Sequence, residues 1–215
     1  MTHLVQIEHL QPDRYKIASE LMAYGFGHKF QRSTAMSLSD LATAFEQMLH
    51  HVPQDTGNLR MVAREDDVIV GTMSLKWKPG SHEQISGKVK GSQVWDACNH
   101  IGAWRRLLLL TGIHLLKHEP VTQECYIEDI VVYPQHQRKG IGRQLLAWAQ
   151  QYMLQSPQMS YLSLHVASHN LKAIQMYERL QFHTQNSTKS WMTGMLLGEQ
   201  QWNYMTHNGE YHAST

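Results

Sequence analysis

Residues 4–10, LVQIEHL, alternate apolar and polar positions, the pattern of an edge strand. Pro12 and Asp13 then open a helix in which Tyr15, Ile17, Leu21 and Met22 recur at helical spacing. Gly25 and Gly27 are expected to stop it, leaving AYGFGHKF as a bent connection. Ser37-Leu38-Ser39-Asp40 caps a second helix, with Leu41, Phe45, Met48 and Leu49 on one side. LRMVARE and VIVGTMSLKW are rich in β-formers and flank Asp66-Asp67, which predicts a hairpin. Residues 79–93 read as a loop. A helix is predicted from Val94 to Lys117, with Trp95, Cys98, Ile101, Trp104, Leu108 and Leu115 on one stripe and Pro120 beyond its end. ECYIEDIVVY is the strongest strand. QRKGIG turns it into a helix over 141–154, followed by the strand YLSLHVA and a helix capped at Ser168-His169-Asn170. WMTGMLL and QWNYMT are read as two closing strands. The order predicts a single α/β domain over residues 1–215. Its mixed sheet, flanked by helices, is antiparallel early, has a parallel βαβ step late, and carries a helical insertion at 79–119 between the third and fourth strands.

Composition narrows the classes. A chain of 215 residues with 42% hydrophobic residues can bury one core. A formal net charge of +1 offers no footprint for nucleic acid. The longest apolar run, LLLLTGIHLL, is too short to span a bilayer, which takes about 20 residues. Two cysteines without a C-x-x-C spacing, and an N-terminus without a basic-then-apolar pattern, predict a reduced, cytoplasmic setting. The 15 histidines are scattered, with no H-E-x-x-H and no zinc spacing, so no metal is expected.

The chemistry concentrates in HQRKGIG, residues 136–142. Between a strand and a helix, Gly140 and Gly142 let a ligand approach the backbone, because neither carries a Cβ. The first amides of the helix are unpaired and sit at its positive end, and Arg138, Lys139 and Arg143 add charge. This pattern suits a pyrophosphate. A nucleotide-binding protein using the same loop is disfavoured: there is no P-loop lysine-serine pair, and the third glycine of G-x-G-x-x-G falls at Leu145.

Taken together, VVYPQHQRKGIGRQLL and LHVASHNLKAIQMYERLQF resemble the GCN5-related N-acetyltransferase (GNAT) superfamily over residues 121–183. That family's acyl-CoA signature, Q/R-x-x-G-x-G/A, is matched by Gln137-Arg138-Lys139-Gly140-Ile141-Gly142. Its second motif is matched by LSLHV, Asn170, Ala173, Tyr177 and Phe182. The turn residue before the aromatic is usually glycine in the family and is Gln181 here.

The resemblance implies an N-acetyltransferase with acetyl-CoA as acyl donor. Arg143, Asn170, Ala173 and the backbone of Ile130, Val131 and Val132 are implied to join the signature in holding the donor. Acetyl transfer to an amine needs a base for the ammonium, donors for the oxyanion and an acid or solvation for the departing thiolate. Glu128 is expected as base and Tyr177 as acid, with His165 a spare base and Asp129 a second carboxylate. The alternation places Glu124, Tyr126 and Glu128 on one strand face and Asp129 on the other, although the resemblance implies a bulge in this strand that can redirect either acid. Glu124, Asp129, Tyr24 and Phe26 are expected at the acceptor. The expected acceptor is a small primary amine: polyamine-like, an amino sugar or an amino acid derivative. The alternatives are a protein N-terminus or lysine, or a non-catalytic acyl-CoA-binding module. The apolar insertion must pack on its own domain or form a homodimer.

Overall fold

The computed structural model describes residues 5–51, 57–80, 95 and 98–209. Seven strands form one sheet: β1 (Val5–His9), β2 (Asn58–Glu65), β3 (Val68–Trp77), β4 (Gln123–Val132), β5 (Met159–Ala167), β6 (His183–Lys189) and β7 (Gln201–Asn208). Their spatial order is β1-β2-β3-β4-β5-β7-β6, and only β4 and β5 run parallel. On one face lie α4 (Ile141–Leu154) and α5 (Leu171–Arg179), whose Ile141, Leu145, Leu146 and Tyr177 share a core with Met73, Leu75, Ile127 and Leu164. On the other lie α1 (Tyr15–Thr34), α2 (Leu38–His51), α3 (Ala103–Leu116) and α6 (Trp191–Leu197). There Leu21, Phe30, Leu41, Phe45, Leu109 and Leu197 pack together with Val62, Ile69 and Val131. Mixed α/β architecture with one late parallel step is what the element order predicts.

Three local expectations are corrected, and one strand comes without a signal in the sequence. Gly25 and Gly27 do not stop the first helix; both lie inside α1, which ends at Ala35 in the left-handed region. They are there for close approach. A Cβ on Gly25 would fall 2.5 Å from Val131 Cγ2, and one on Gly27 2.5 Å from Leu38 Cδ2. Gly25 thus lets α1 lie directly on β4. Gly25→Ala is expected to cost about 1–3 kcal/mol from overpacking, partly offset by about 1 kcal/mol of helix propensity. Urea denaturation measures the balance, and a variant more stable than wild type would contradict the close contact.

The helix predicted from Val94 is interrupted in its described part. Residues 98–101 form turns and a bend, and α3 starts after Gly102. The break resets the helical phase. Leu109 and Gly112 face inward, where Gly112 admits Phe30 and Leu197, while Trp104 is 69% exposed rather than on the packed stripe. The loop reading of 79–93 falls mostly outside the described residues. WMTGMLL is α6, capped by Ser190 accepting from the Thr193 amide, and not a strand. Finally, HTQNSTK forms β6 on the sheet edge although every residue in it is exposed. Its order comes from pairing with β7, so no apolar alternation marks it.

Candidate active site

β4 and β5 pair from Gln123↔Met159 only as far as Ile127↔Leu164. Beyond that point β4 follows β3 to Val132 and β5 follows β7 to Ala167, so the sheet splays. A cavity of about 860 Å³ opens there, walled by 126–132 and 164–167, by Tyr24 and Phe26 of α1, and by Asn170 and Tyr177 at the two ends of α5. The tail of the insertion, Leu115 to His118, closes one side.

Simple alternation assigns Asp129 to the face opposite Glu128, and the structure corrects this. Ser74 pairs with Asp129 and Leu75 with Ile127, so Glu128 is the extra residue of a β-bulge. Past the bulge Ile130 and Val132 join Ile127 against the α4 core, which returns Asp129 to the face of Tyr126. The two acids then part company. Asp129 receives both guanidinium nitrogens of Arg60, at 2.8 and 2.6 Å, and both side chains are 6% exposed. Burial opposes the Arg60 charge, but Asp129 outweighs it and raises the guanidinium pKa. Glu128 keeps solvent contact through the cavity and has one long contact, 3.5 Å from Ser74 Oγ. Crowding strips water from its carboxylate and raises its pKa. The charge of Asp129 adds to this, and Arg60, Lys76 and Ser74 offset part of it. Asp129→Ala strands a buried guanidinium and is expected to cost about 3–5 kcal/mol in chemical denaturation. A loss of activity without that loss of stability would return Asp129 to the chemistry.

Glu124, expected at the acceptor, is instead an internal anchor. It is 1% exposed and accepts from the Val121 amide at 2.8 Å, Ser163 Oγ at 2.5 Å and Tyr204 Oη at 2.8 Å, and lies 2.9 Å from His118 Nε2. Burial opposes its charge, but these hydrogen bonds hold its pKa down at about 2. Above it His118, Tyr126, His165 and Tyr204 form an aromatic cluster, with His118 and Tyr126 centroids 4.3 Å apart. Burial and the neighbouring His118 push His165 down to about 4, so it is neutral at physiological pH and a weak base.

Tyr177 is 6% exposed and its hydroxyl makes no hydrogen bond among the described residues. Burial pushes its pKa up to about 12, so it retains its proton. Asn170 caps α5 by accepting from the Ala173 amide at 3.3 Å, while Ala173 packs against the core beside the cavity. Gln181, where the resembling family has glycine, adopts a φ of 64°.

The glycine loop sits at the C-terminal end of β4. Arg138 and Gly140 take φ values of 61° and 83°, and a Cβ on Gly140 would meet nothing within 4 Å. The first amide back in the helical ladder is Gln144, bonded to Gly140 O at 3.0 Å. Amides 138–143 donate to no group among the described residues, and the Ile141 side chain is buried, leaving only its backbone to the surface. Six orphan amides beside Arg138, Lys139 and Arg143 suit the phosphates of CoA. In β4 the Tyr133 amide bonds Val70 O at 3.0 Å. Ladder alternation therefore aims the Val131 amide at β3 and turns those of Ile130 and Val132 to the splay. Gln137 Nε2 reaches Val132 O at 3.0 Å, on that same open side.

The acetyltransferase (GNAT) family model matches residues 28–182. The chain belongs to this family. No curated protein matches it by sequence. Among solved structures, the ribosomal-protein-S18-alanine N-acetyltransferase of Escherichia coli aligns over 99% of this chain and 98% of its own, at 16% identity and a TM-score of 0.54. A mutant of the spermidine N-acetyltransferase SpeG of Vibrio cholerae aligns over 98% and 96%, at 17% identity and a TM-score of 0.59. At these identities the likeness is one of fold. Within this GNAT chain, sequence reasoning missed Arg60, His118, Lys29 and Trp202. Arg60 alone had a local signal, a charge in the middle of a β-rich run.

Proposed function

We propose that this GNAT protein transfers the acetyl group of acetyl-CoA to the primary amine of a small molecule by direct attack. The observation that carries the reading is the β4 bulge. It leaves Glu128 in the cavity without an ion pair among the described residues, while Asp129 beside it is taken up by Arg60. Glu128, with its raised pKa, is the base that takes the proton of the incoming ammonium, directly or through a water. The amides of Ile130 and Val132, facing the splay, are the donors for the oxyanion. Tyr177 presents a protonated hydroxyl, unpartnered among the described residues, to the departing thiolate. The loop amides 138–143 and their cations hold the pyrophosphate.

The acceptors named for the two solved structures are spermidine and a ribosomal-protein alanine, and either class of amine is chemically compatible with this base. A cavity of about 860 Å³ is of the size that takes a small molecule. A screen of free amines and peptides with acetyl-CoA, following CoA release, tests the reading. Release with at least one small amine is the expected result. Acetylation of peptides or proteins only, with free amines inert at millimolar concentration, would overturn it. Tyr177→Phe is expected to lower kcat about 10²-fold while leaving CoA affinity near wild type. Wild-type kcat across neutral and alkaline pH would assign the acid elsewhere.

A further inference from the structure

The cavity wall holds a cation that the proposed mechanism does not use. Lys29, on α1, reaches the cavity wall with its ammonium 5.0 Å from the Trp202 ring centroid and 5.6 Å from that of Phe26. Ring faces steady a cation but give its N–H groups no lone pair of a proper acceptor. Lys29 forms no salt bridge and donates no hydrogen bond among the described residues. Glu199 is an opposing charge that acts on it, and its Oε2 is engaged by His169 Nδ1 at 2.9 Å. Burial lowers the Lys29 pKa and Glu199 raises it in part, the mark of an ammonium short of solvent and of partners. Thr188, cross-strand partner of Trp202, adds a hydroxyl on the same face of the sheet, and that hydroxyl forms no hydrogen bond among the described residues. An incompletely solvated ammonium in a cavity is matched by an anionic acceptor group that the ligand brings.

We propose that Lys29 is a specificity residue of the acceptor site and that the substrate amine carries a carboxylate on the same small molecule. This inference rests on the acetyl-transfer reading for its consequence in turnover, and on the cavity alone for binding. One ammonium matches one carboxylate charge. A phosphate dianion is a poorer match, because Glu199 faces the same ammonium. Glu128 and Lys29 then divide the substrate between them, the first taking the ammonium and the second the carboxylate. Asp129, which the sequence offers as an attractant for a polycation, is neutralised by Arg60, and the oxygens of Glu124 are taken up by hydrogen bonds inside the protein.

The test compares free amino acids with their α-carboxamides, on the CoA-loaded protein by calorimetry and with acetyl-CoA by CoA release. At least one carboxylate is expected to bind better than its amide by about 10- to 100-fold, the size of a charge-assisted hydrogen bond. That ratio should collapse in Lys29→Met, which keeps a flexible stem on the rings, and persist in Lys29→Arg. KM should carry the effect and kcat little of it. Amides equal to or better than every carboxylate would overturn the proposal, as would a Lys29→Met variant that weakens both alike. A large loss of CoA affinity in Lys29→Met would assign the ammonium to the cofactor instead. Tighter binding of phosphoethanolamine than of any amino acid would overturn the carboxylate assignment. Carboxylate-selective binding without acetylation would leave this site standing and remove the proposed function. Acetylation confined to uncharged or polycationic amines would do the reverse.

Discussion

Gly142→Asp is expected to abolish CoA binding nearly completely while leaving the apoprotein as stable as wild type or more so. The two effects have opposite signs for separable reasons. Gly142 is the second residue of α4, where a Cβ would meet Met176 Sδ at 3.5 Å, an ordinary contact. Replacing glycine within a helix gains about 0.5 kcal/mol of propensity, and an acid in the first turn gains about 0.3–1 kcal/mol from the macrodipole. The same carboxylate, however, lies among amides 138–143, where the donor's phosphates are proposed to bind. It occupies the positive end of the helix and repels a pyrophosphate at close range. Calorimetry with CoA and thermal unfolding of the apoprotein read the two halves separately. Unchanged CoA affinity would remove the loop from the cofactor site. Lost affinity together with a lower melting temperature would mean only that the fold was damaged. Gly140→Asp is a poorer test, because φ of 83° at that position strains any side chain.

The parts of the molecule legible in the sequence are those whose determinants are local. The strand, turn and helix over 123–154 announce themselves by a β-rich run, a glycine loop and a helical stripe, all within about thirty residues. The Asn170 cap needs only its own amide three residues on. What escaped depends on partners far along the chain. Gly25 breaks an isolated helix but suits one that lies on Val131, a neighbour 106 positions away in the numbering. β6 is held by β7 and offers no apolar face of its own. The bulge at Glu128 is a property of register against β3, and a strict period of two cannot contain it. For the same reason the three acids of ECYIEDIVV look equivalent in sequence. In the structure one is buried under four polar contacts, one is clamped by Arg60, and one is left in the cavity.

Glu128→Gln is expected to slow turnover by about 10²–10⁴-fold, the range for removing a well-placed base. Glutamine keeps the volume and can still meet Ser74 Oγ, so the change isolates the proton-accepting function. CoA affinity should stay near wild type, which distinguishes this variant from Gly142→Asp. The pH dependence follows from the direction of the shift. Burial and Asp129 raise the Glu128 pKa, so the wild-type rate should fall at acidic pH as the carboxylate takes up a proton it cannot then accept from substrate. The variant should lack that limb and retain only the ionisation of the amine. The same shift bears on stability with a definite sign. A carboxyl whose folded pKa lies above its unfolded value favours the fold below the unfolded pKa, and that contribution is lost as pH rises through the folded pKa. Wherever Glu128 is ionised, its charge therefore weighs against the native state, and Glu128→Gln should melt at or above the wild-type temperature. A less active but more stable protein is the signature of a site kept for chemistry rather than for packing. A folded variant with wild-type kcat would mean that Glu128 is not the base. The aromatic cluster around His165, despite its depressed pKa, would then be the next place to look for one.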